Sequence, residues 1–268
     1  MSLLDQRQVG LALEDLAGGL RNWRTWFVMG NAEVRQRYRR SLLGPFWVSL
    51  SMGVQATVMG FLLAFLFKID VQRFLPFLCI SLVCWTFLTT AINEGANAFI
   101  ANGPVILQVK RPLSTYVLLA LWRNAIIFAH TVVVFFVAAL AFGVYPGATY
   151  LLVPLGLAVF GLNVGWMAFA AGLISARFRD VPLLIQNAFN PLVWLTPVFY
   201  HPDQLGPGVR RLINLNPLTY VLEVGRAPFL NEIPPASTWV IALTLAVAGW
   251  GLTFILFVRT RSRVAFWL

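Results

Sequence analysis

The side chains that could perform acid–base, nucleophilic or metal chemistry are few and widely separated in this sequence. It has two histidines and two cysteines, and the acidic residues in or beside its apolar stretches are Asp70, Glu94, Asp180, Asp203, Glu223 and Glu232. No HExxH, GxSxG or paired CxxC motif is present, and neither lysine follows a glycine in a phosphate-binding loop. The sequence therefore predicts no catalytic centre, no nucleotide hydrolysis, no resident cofactor and no metal site.

One pair of opposite charges lies within apolar sequence. Arg123 interrupts the long apolar run from Leu113 to Phe142, and Glu94 lies near the end of the preceding run. A charged side chain inside a long apolar segment usually has a partner. We therefore predict that Glu94 and Arg123 form a buried ion pair.

The elements that position these groups are long apolar helices. The chain is 59% hydrophobic and only 11% charged. Six runs have the roughly 20 residues that a helix needs to cross a ~30 Å hydrocarbon core. They are Phe46–Phe67, Phe74–Ile92, Leu113–Phe142, Tyr150–Ala176, Val181–Tyr200 and Ser237–Val258. The sequence predicts an all-α, multi-pass membrane protein with a single transmembrane domain, 1–268.

The distribution of basic residues predicts the orientation. If six helices alternate, fourteen lysines and arginines lie on the side of both termini and five on the other, with Arg123 inside a helix. This asymmetry follows the positive-inside rule, so both termini are expected in the cytoplasm. The net charge of +10 then reflects topology and contact with anionic membrane lipids rather than nucleic acid.

Two segments outside these runs are also amphipathic. In residues 1–31, Leu13, Leu16, Leu20, Trp23 and Phe27 recur at helical spacing, which predicts a helix in the membrane plane or one packed on another subunit. Residues 201–236 are too apolar for a solvated loop. We expect two short, partly re-entrant helices there, separated near Asn216-Pro217.

Several segments, taken in order, resemble one family of membrane proteins. The stretch "RYRRSLLGPFW" is similar to the motif that opens the first membrane helix in Wzm-type permeases of ABC exporters, which export O-antigen, capsule and teichoic-acid polymers. Further matching segments cover essentially the whole chain: "FKIDVQRFLPFL", "INEGANAFI", "WRNAIIFAH", "ARFRDV", "LTPVFYHP" and "LNPLTYVLEVGRAPFL". "WRNAIIFAH" with "INEGANAFI" is most similar to the O-antigen branch.

The resemblance implies a type 2 ABC exporter permease fold with defined partners. A homodimer would pair with two copies of a separate ATPase subunit in the cytoplasmic (inner) membrane, and residues 201–236 would form an extracytoplasmic gate. The loop 100–112 would couple to the ATPase through Val105, Ile106 and Leu107. A second contact is expected at the turn that contains Arg177 and Asp180.

The resemblance also implies a channel at the dimer interface, lined by the first and fifth membrane helices. A polysaccharide presents hydroxyls and apolar C–H faces, so aromatic rings and neutral polar groups suit its pathway. The candidates are Trp47, Gln55, Phe61, Phe65, Gln186, Asn187, Asn190, Trp194, Phe199 and Tyr200. Trp47 and Tyr200, near helix ends, are equally compatible with an aromatic belt at the lipid interface.

The arginines before the first span have two interpretations. Arg39 and Arg40 lie nearest the helix, and we hypothesise that they bind the pyrophosphate of a lipid-linked glycan, because guanidinium groups match phosphate oxygens. Membrane anchoring alone would also explain the cluster.

Two other functions remain open from the sequence. A permease of the same fold could move a drug, haem or another small lipid, and would have a drier pore. An integral-membrane enzyme acting on lipid carriers would be active without an ATPase.

Overall fold

The computed structural model describes residues 6–39, 41, 44 and 46–268, and the regular structure in these ranges is helical. Within these ranges eleven α-helices follow one another, with short 3₁₀ turns at Ala148–Leu152, Pro202–Gln204 and Ala227–Leu230. The α-helices are α1 Gln6–Arg21, α2 Trp23–Arg37, α3 Phe46–Phe67, α4 Val71–Ala101, α5 Gly103–Gln108, α6 Ser114–Ala141, α7 Val153–Arg177, α8 Val181–Leu195, α9 Pro207–Leu215, α10 Pro217–Arg226 and α11 Ala236–Trp267.

Five helical segments among the described residues are long and apolar enough to cross a membrane: α3, α4, α6, α7 with its preceding 3₁₀ turn, and α11. The sixth expected span is shorter, because α8 has 15 residues and ends at Leu195. At ~1.5 Å per residue it reaches about 22 Å. Thr196 is extended, as expected for a residue before proline, whereas Pro191 is accommodated inside the helix.

Helix α4 is the centre of the bundle. In the apolar window of α4, 78% of the residues are buried, compared with 22% in α3. Small residues allow α4 and α7 to cross closely: a Cβ atom on Gly95 would lie 2.5 Å from the Cβ of Ala168. Close approach at small residues is the usual way in which membrane helices pack. Helices α3, α6, α7 and α8 all pack against α4.

The helices define two ends of the bundle. One end, which we call the basic end, is formed by α1, α5 and the end of α11. There α1 contacts α6 and α11, and α5 contacts α4 and α11. Arg179 donates hydrogen bonds to the carbonyls of Trp267 and Leu268 at this end. At the far end, the side chain of Asn231 accepts a hydrogen bond from the Gly147 amide, and the rings of Phe77 and His201 lie 4.2 Å apart. The long helices run between these ends.

The N-terminal segment is two helices rather than the single expected one. The chain bends at Asn22, so that α1 packs on α6 and α11 while α2 packs along α6. The bend accompanies close contact at Gly19, where a Cβ atom would lie 2.2 Å from the Ser114 hydroxyl. The neighbouring helices therefore decide where the amphipathic segment divides.

The segment between α8 and α11 contains the two expected short helices. Asn216 separates α9 from α10, and its side chain accepts a hydrogen bond from the Leu218 amide at 3.0 Å. The amide group of Asn216 also donates to the carbonyl of Leu195 and the hydroxyl of Thr196. Helix α10 is largely buried against α4, α7 and α11, whereas α9 buries only Ile213.

Candidate functional site: polar clusters and exposed helix faces

Helix α3 presents most of its surface to the outside of the single chain. Its buried side consists of Ser49, Met52, Ala56, Gly60 and Ala64, which recur every three or four residues and face α4 and α6. The four sequence-predicted pathway residues on this helix, Trp47, Gln55, Phe61 and Phe65, are all exposed.

Helix α8 likewise has no buried residue. Gln186, Asn187, Asn190 and Trp194 are exposed, as a pathway surface would require. Phe199 differs, because it is buried and packs on Trp194 with their rings 4.9 Å apart. Tyr200 is half-buried, and its hydroxyl donates to the Trp194 carbonyl at 2.7 Å. Phe199 and Tyr200 therefore support the end of α8 in the single chain.

The structure brings Glu94 and Arg123 together in a larger cluster near the basic end. The Nε and Nη2 atoms of Arg123 lie 2.9 and 2.8 Å from Glu94 Oε2, and Nη1 of Arg123 donates to Glu33. Arg37 approaches the other Glu94 oxygen at 3.3 Å, and the Asn124 amide donates to Oε2 at 2.6 Å. We call Glu33, Arg37, Glu94, Arg123 and Asn124 the Arg123 cluster. It joins α2, α4 and α6.

Glu33 was missed as a partner by the sequence reasoning. It lies in a run rich in arginines, and such a run usually indicates a solvated surface rather than a partner for a residue in a membrane helix. The available signal was that Glu33 is the single acidic residue between Asp15 and Asp70.

A second arginine cluster, not expected from the sequence, lies toward the far end. Arg226, at the end of α10, donates to Glu223 at 2.6 and 2.9 Å, to the Ser81 hydroxyl at 2.9 Å and to the Pro197 carbonyl. Its guanidinium carbon lies 4.6 Å from the centre of the Phe77 ring. We call Phe77, Ser81, Pro197, Glu223 and Arg226 the Arg226 cluster. It links α10 to α4 and to the chain after α8.

The residues expected to contact an ATPase lie at the basic end. The loop 100–112 contains the short helix α5, on which Val105 and Leu107 are exposed while Ile106 packs against buried neighbours. The Arg177 guanidinium packs on the rings of Phe178 and Trp267, at 5.2 and 5.7 Å.

Asp180 and Arg39 are exposed at the basic end. Arg40 lies outside the described residues.

Asp15 fixes α1 to the start of α6, and the sequence did not indicate this contact. Its buried carboxylate accepts hydrogen bonds from the amides of Leu113 and Ser114, each at 3.0 Å, and from the Ser114 hydroxyl. Arg261 of α11 donates to the same carboxylate at 3.2 Å. A carboxylate that accepts the first amides of a helix stabilises its N-terminus. One side chain therefore joins α1, α6 and α11 beside α5.

Metal-binding clusters are absent from the described ranges, where no three His, Cys, Asp or Glu side chains come together. His130 Nδ1 lies 2.7 Å from the Ile126 carbonyl, and its ring packs edge-on against Phe46. The free cysteines Cys79 and Cys84 are buried in α4. These groups have packing roles.

The comparisons with known proteins agree with this architecture. A family described as ABC-2 type transporter matches residues 24–230. The chain is 23% identical to an O-antigen export system permease protein RfbA of Klebsiella pneumoniae, over 76% of this chain and 79% of the relative. It is 22% identical to the O-antigen export system permease protein RfbA of Myxococcus xanthus, over 79% of this chain and 82% of that relative. It is 30% identical to the inner membrane transport permease YadH of Escherichia coli K12, over 34% of this chain and 36% of that one.

Proposed function

The chain belongs to the ABC-2 type transporter family, and from this premise we propose that it is the channel-forming subunit that exports a lipid-linked polysaccharide, O-antigen in particular, across the cytoplasmic membrane. The observation that carries the substrate proposal is the extent of the similarity to RfbA. The RfbA relatives match 76–79% of the chain, whereas YadH matches 34%.

The exposed faces of α3 and α8 support a homodimer with the pathway at its interface. Each helix is apolar enough for a membrane, yet each also exposes neutral polar residues such as Gln55 and Asn190. Polar side chains are costly toward lipid and usually face protein or a water-filled path. A second copy of the chain facing these surfaces would give them that surrounding. The aromatic residues Trp47, Phe61, Phe65 and Trp194 would then offer rings to the sugar faces.

We propose that the basic end faces the cytoplasm, with both termini there, because it carries the excess of lysine and arginine. In this orientation α8, extended by the buried residues 196–199, is the sixth span. Helices α9 and α10 then lie on the outer side as the gate.

The energy source is proposed to be a separate ABC ATPase subunit. The sequence has no phosphate-binding loop, and the exposed residues Val105 and Leu107 on α5 offer a compact apolar contact at the basic end. Asp15 and Arg261 tie the neighbouring elements together, so a displacement of α5 would reach α1, α6 and α11. Arg177 and Asp180 provide the second contact.

Arg39 and Arg40 are proposed to bind the pyrophosphate of the lipid-linked glycan on the cytoplasmic side. Arg39 is exposed before the start of α3, where a headgroup would arrive from the inner leaflet. Replacing both with glutamine should lower export at unchanged protein levels. Unchanged export would leave these arginines with membrane anchoring alone.

The central experiment is reconstitution with an ATPase. The chain and the ABC ATPase of its source cell are placed in lipid vesicles, and lipid-linked polysaccharide from that cell is added. We expect it to stimulate ATP hydrolysis and to become accessible on the opposite side of the membrane.

The doubly substituted variant Val105→Asp/Leu107→Asp should lose both effects in this assay. Ser262→Asp, which adds a charge at an exposed position near the same end, is the control. Stimulation by small hydrophobic compounds but not by the glycolipid would favour a small-molecule permease. Glycolipid turnover by the chain alone would favour an enzyme.

A further inference from the structure

A polar cleft of about 380 Å³ lies between the end of α4, the start of α6 and helix α2. It is separate from the α3 and α8 faces described above, and residues of the Arg123 cluster form part of its lining. The polar residues that line it are Glu33, Asn93, Glu94, Asn97, Asn102, Tyr116 and Arg123. Its volume is in the lower part of the range of small-molecule sites.

The cleft offers both hydrogen-bond acceptors and donors. The side-chain amides of Asn97 and Asn102 each use one N–H for the backbone carbonyl of Asn93 or Ala98, so the second N–H and the oxygen of each amide remain for a ligand. Glu33 uses one carboxylate oxygen for Arg123. A lining of this kind favours a ligand whose groups can both donate and accept hydrogen bonds.

The charges in and beside the cleft are balanced. Glu33 and Glu94 are matched by Arg123 and Arg37, all within one network of ion pairs. A cationic donor such as an ammonium group would find no excess negative charge. Neutral hydroxyl groups, which both donate and accept hydrogen bonds, therefore fit this lining.

One buried hydroxyl lacks a partner at this place. Tyr116 lines the cleft and is 2% exposed, and its hydroxyl makes no hydrogen bond within the described residues. An unpaired buried hydroxyl costs free energy, and a ligand that bonds to it after a small shift of the Tyr116 side chain toward the cleft would recover that cost.

The polar surface continues beyond the cleft along α4. Thr90 is exposed and Thr86 half-buried, and they lie one and two turns before Asn93 on the same side of the helix. The Thr90 hydroxyl donates to the Thr86 carbonyl at 2.6 Å, which leaves its oxygen available as an acceptor. A row of this kind fits an extended chain of hydroxyl-bearing units better than a single headgroup.

We propose that this cleft binds sugar units of the transported polysaccharide, with sugar hydroxyls donating to Asn97, Asn102 and Glu33 and bonding to the Tyr116 hydroxyl. The inference rests on the proposed polysaccharide substrate. It adds the cleft at the end of α4 to the pathway that α3 and α8 are proposed to line.

Site-specific photocross-linking in the source cell tests the cleft with a glycan of any sugar composition. A photoreactive phenylalanine derivative is placed at Asn97 in the cleft, at Asn190 on α8, and at Ser262, an exposed residue of α11 near the same end. Sugar analysis after acid hydrolysis of the purified chain then detects attached carbohydrate of any composition, and gel mobility shows the sizes of the conjugates. We expect a ladder of conjugates at Asn97 and Asn190, and none at Ser262.

The outcomes separate the two proposals. A ladder at Asn190 with none at Asn97, an equal ladder at Ser262, or conjugates of a single phospholipid mass at Asn97 would overturn the cleft alone. Carbohydrate at none of the positions would overturn the polysaccharide substrate together with the cleft.

Tyr116→Phe provides a second readout that a merely structural role would not produce. In the reconstituted transporter, the concentration of lipid-linked polysaccharide that half-maximally stimulates ATP hydrolysis should rise about fivefold, as for the loss of one hydrogen bond. The thermal stability of the substrate-free protein should be unchanged or higher, because an unpaired hydroxyl is removed. An unchanged half-maximal concentration would contradict the assignment.

Discussion

Arg123 near the basic end and Arg226 toward the far end are both held by carboxylates, but their partners differ in number and exposure. The Arg123 side chain is 19% exposed and contacts two carboxylates, Glu33 and Glu94, which are 35% and 24% exposed. The Arg226 side chain is 2% exposed and, among the described residues, has one carboxylate partner, Glu223, together with a hydroxyl and a carbonyl.

This difference indicates different roles for the two ends. A partly exposed arginine with two carboxylates can lose one partner and keep its charge paired, so the helices around it can shift at low cost. A buried arginine with one carboxylate holds its surroundings in a single arrangement. Within the proposed function, the Arg123 cluster permits movement near the ATPase, and the Arg226 cluster anchors the α10 side of the proposed gate segment to α4.

The largest expected effect is at Glu223. Glu223→Gln leaves the buried Arg226 without a carboxylate, and we expect a loss of ~3–5 kcal/mol in the free energy of unfolding. Unfolding of the purified chain in detergent measures it. The double variant Glu223→Gln/Arg226→Met removes both charges and should recover most of the loss. A double variant as unstable as the single one would contradict the view that the unpaired charge is the cause.

The next largest effect is expected at Asp15, the most buried carboxylate of the basic end. Asp15→Ala removes the acceptor for the Leu113 and Ser114 amides and the partner of Arg261, which should cost ~2 kcal/mol. The same unfolding assay measures this cost. Glu14→Ala is the matched control, because Glu14 is the exposed neighbour on α1. Equal stability of the two variants would show that the Asp15 contacts contribute nothing.

A smaller effect is expected at Glu94, where the comparison with Glu223 is most direct because the substitution is the same. Glu94→Gln leaves Glu33 to pair with Arg123, so the loss should be ~1 kcal/mol. A double-mutant cycle of Glu33→Gln and Glu94→Gln should then be non-additive, with the double variant losing more than the sum. Additive losses would mean that the two carboxylates do not substitute for one another.

The smallest effect is expected at Arg37, whose side chain is the most exposed member of the Arg123 cluster. Arg37→Gln should cost less than ~1 kcal/mol, as is usual for an exposed ion pair, and the difference should shrink further in high salt. Unfolding at two salt concentrations measures it. A large, salt-independent loss in the free energy of unfolding would show that Arg37 is held as firmly as Arg226. It would then contradict the proposed difference between the Arg123 and Arg226 clusters.

The sequence predicted the elements well where local composition decides them. The five long helices coincide with apolar runs, and the two short helices divide at Asn216-Pro217 as expected. The boundaries were less accurate at α8, because hydropathy continues past Thr196 while Pro197 ends the helix. The division at Asn22 could not be read from amphipathicity, since both α1 and α2 continue the same pattern.

The candidate site was predictable in part, for the same reason. Arg123 is conspicuous in an apolar run, and Glu94 is the acidic residue that follows directly after the preceding run. Arg226 was not conspicuous, because it ends a short segment outside the long apolar runs. An arginine in such a segment is usually predicted to be a surface residue. The simplest test of an ion pair is to exchange its two residues. Here an exchange of Glu94 and Arg123 would place arginine beside Arg37 and glutamate beside Glu33, so the wider cluster makes that test unsuitable.

By itself, the sequence determined that this chain is a multi-pass helical membrane protein with a strongly asymmetric charge distribution, because hydropathy and charge belong to each segment separately. The tertiary structure decided which of the equally apolar helices is central, since α3 and α4 differ in neighbours rather than in composition. It also assembled the polar groups of α2, α4 and α6 into one cleft. Contacts between residues distant in sequence depend on how the helices pack, and no single segment records that packing.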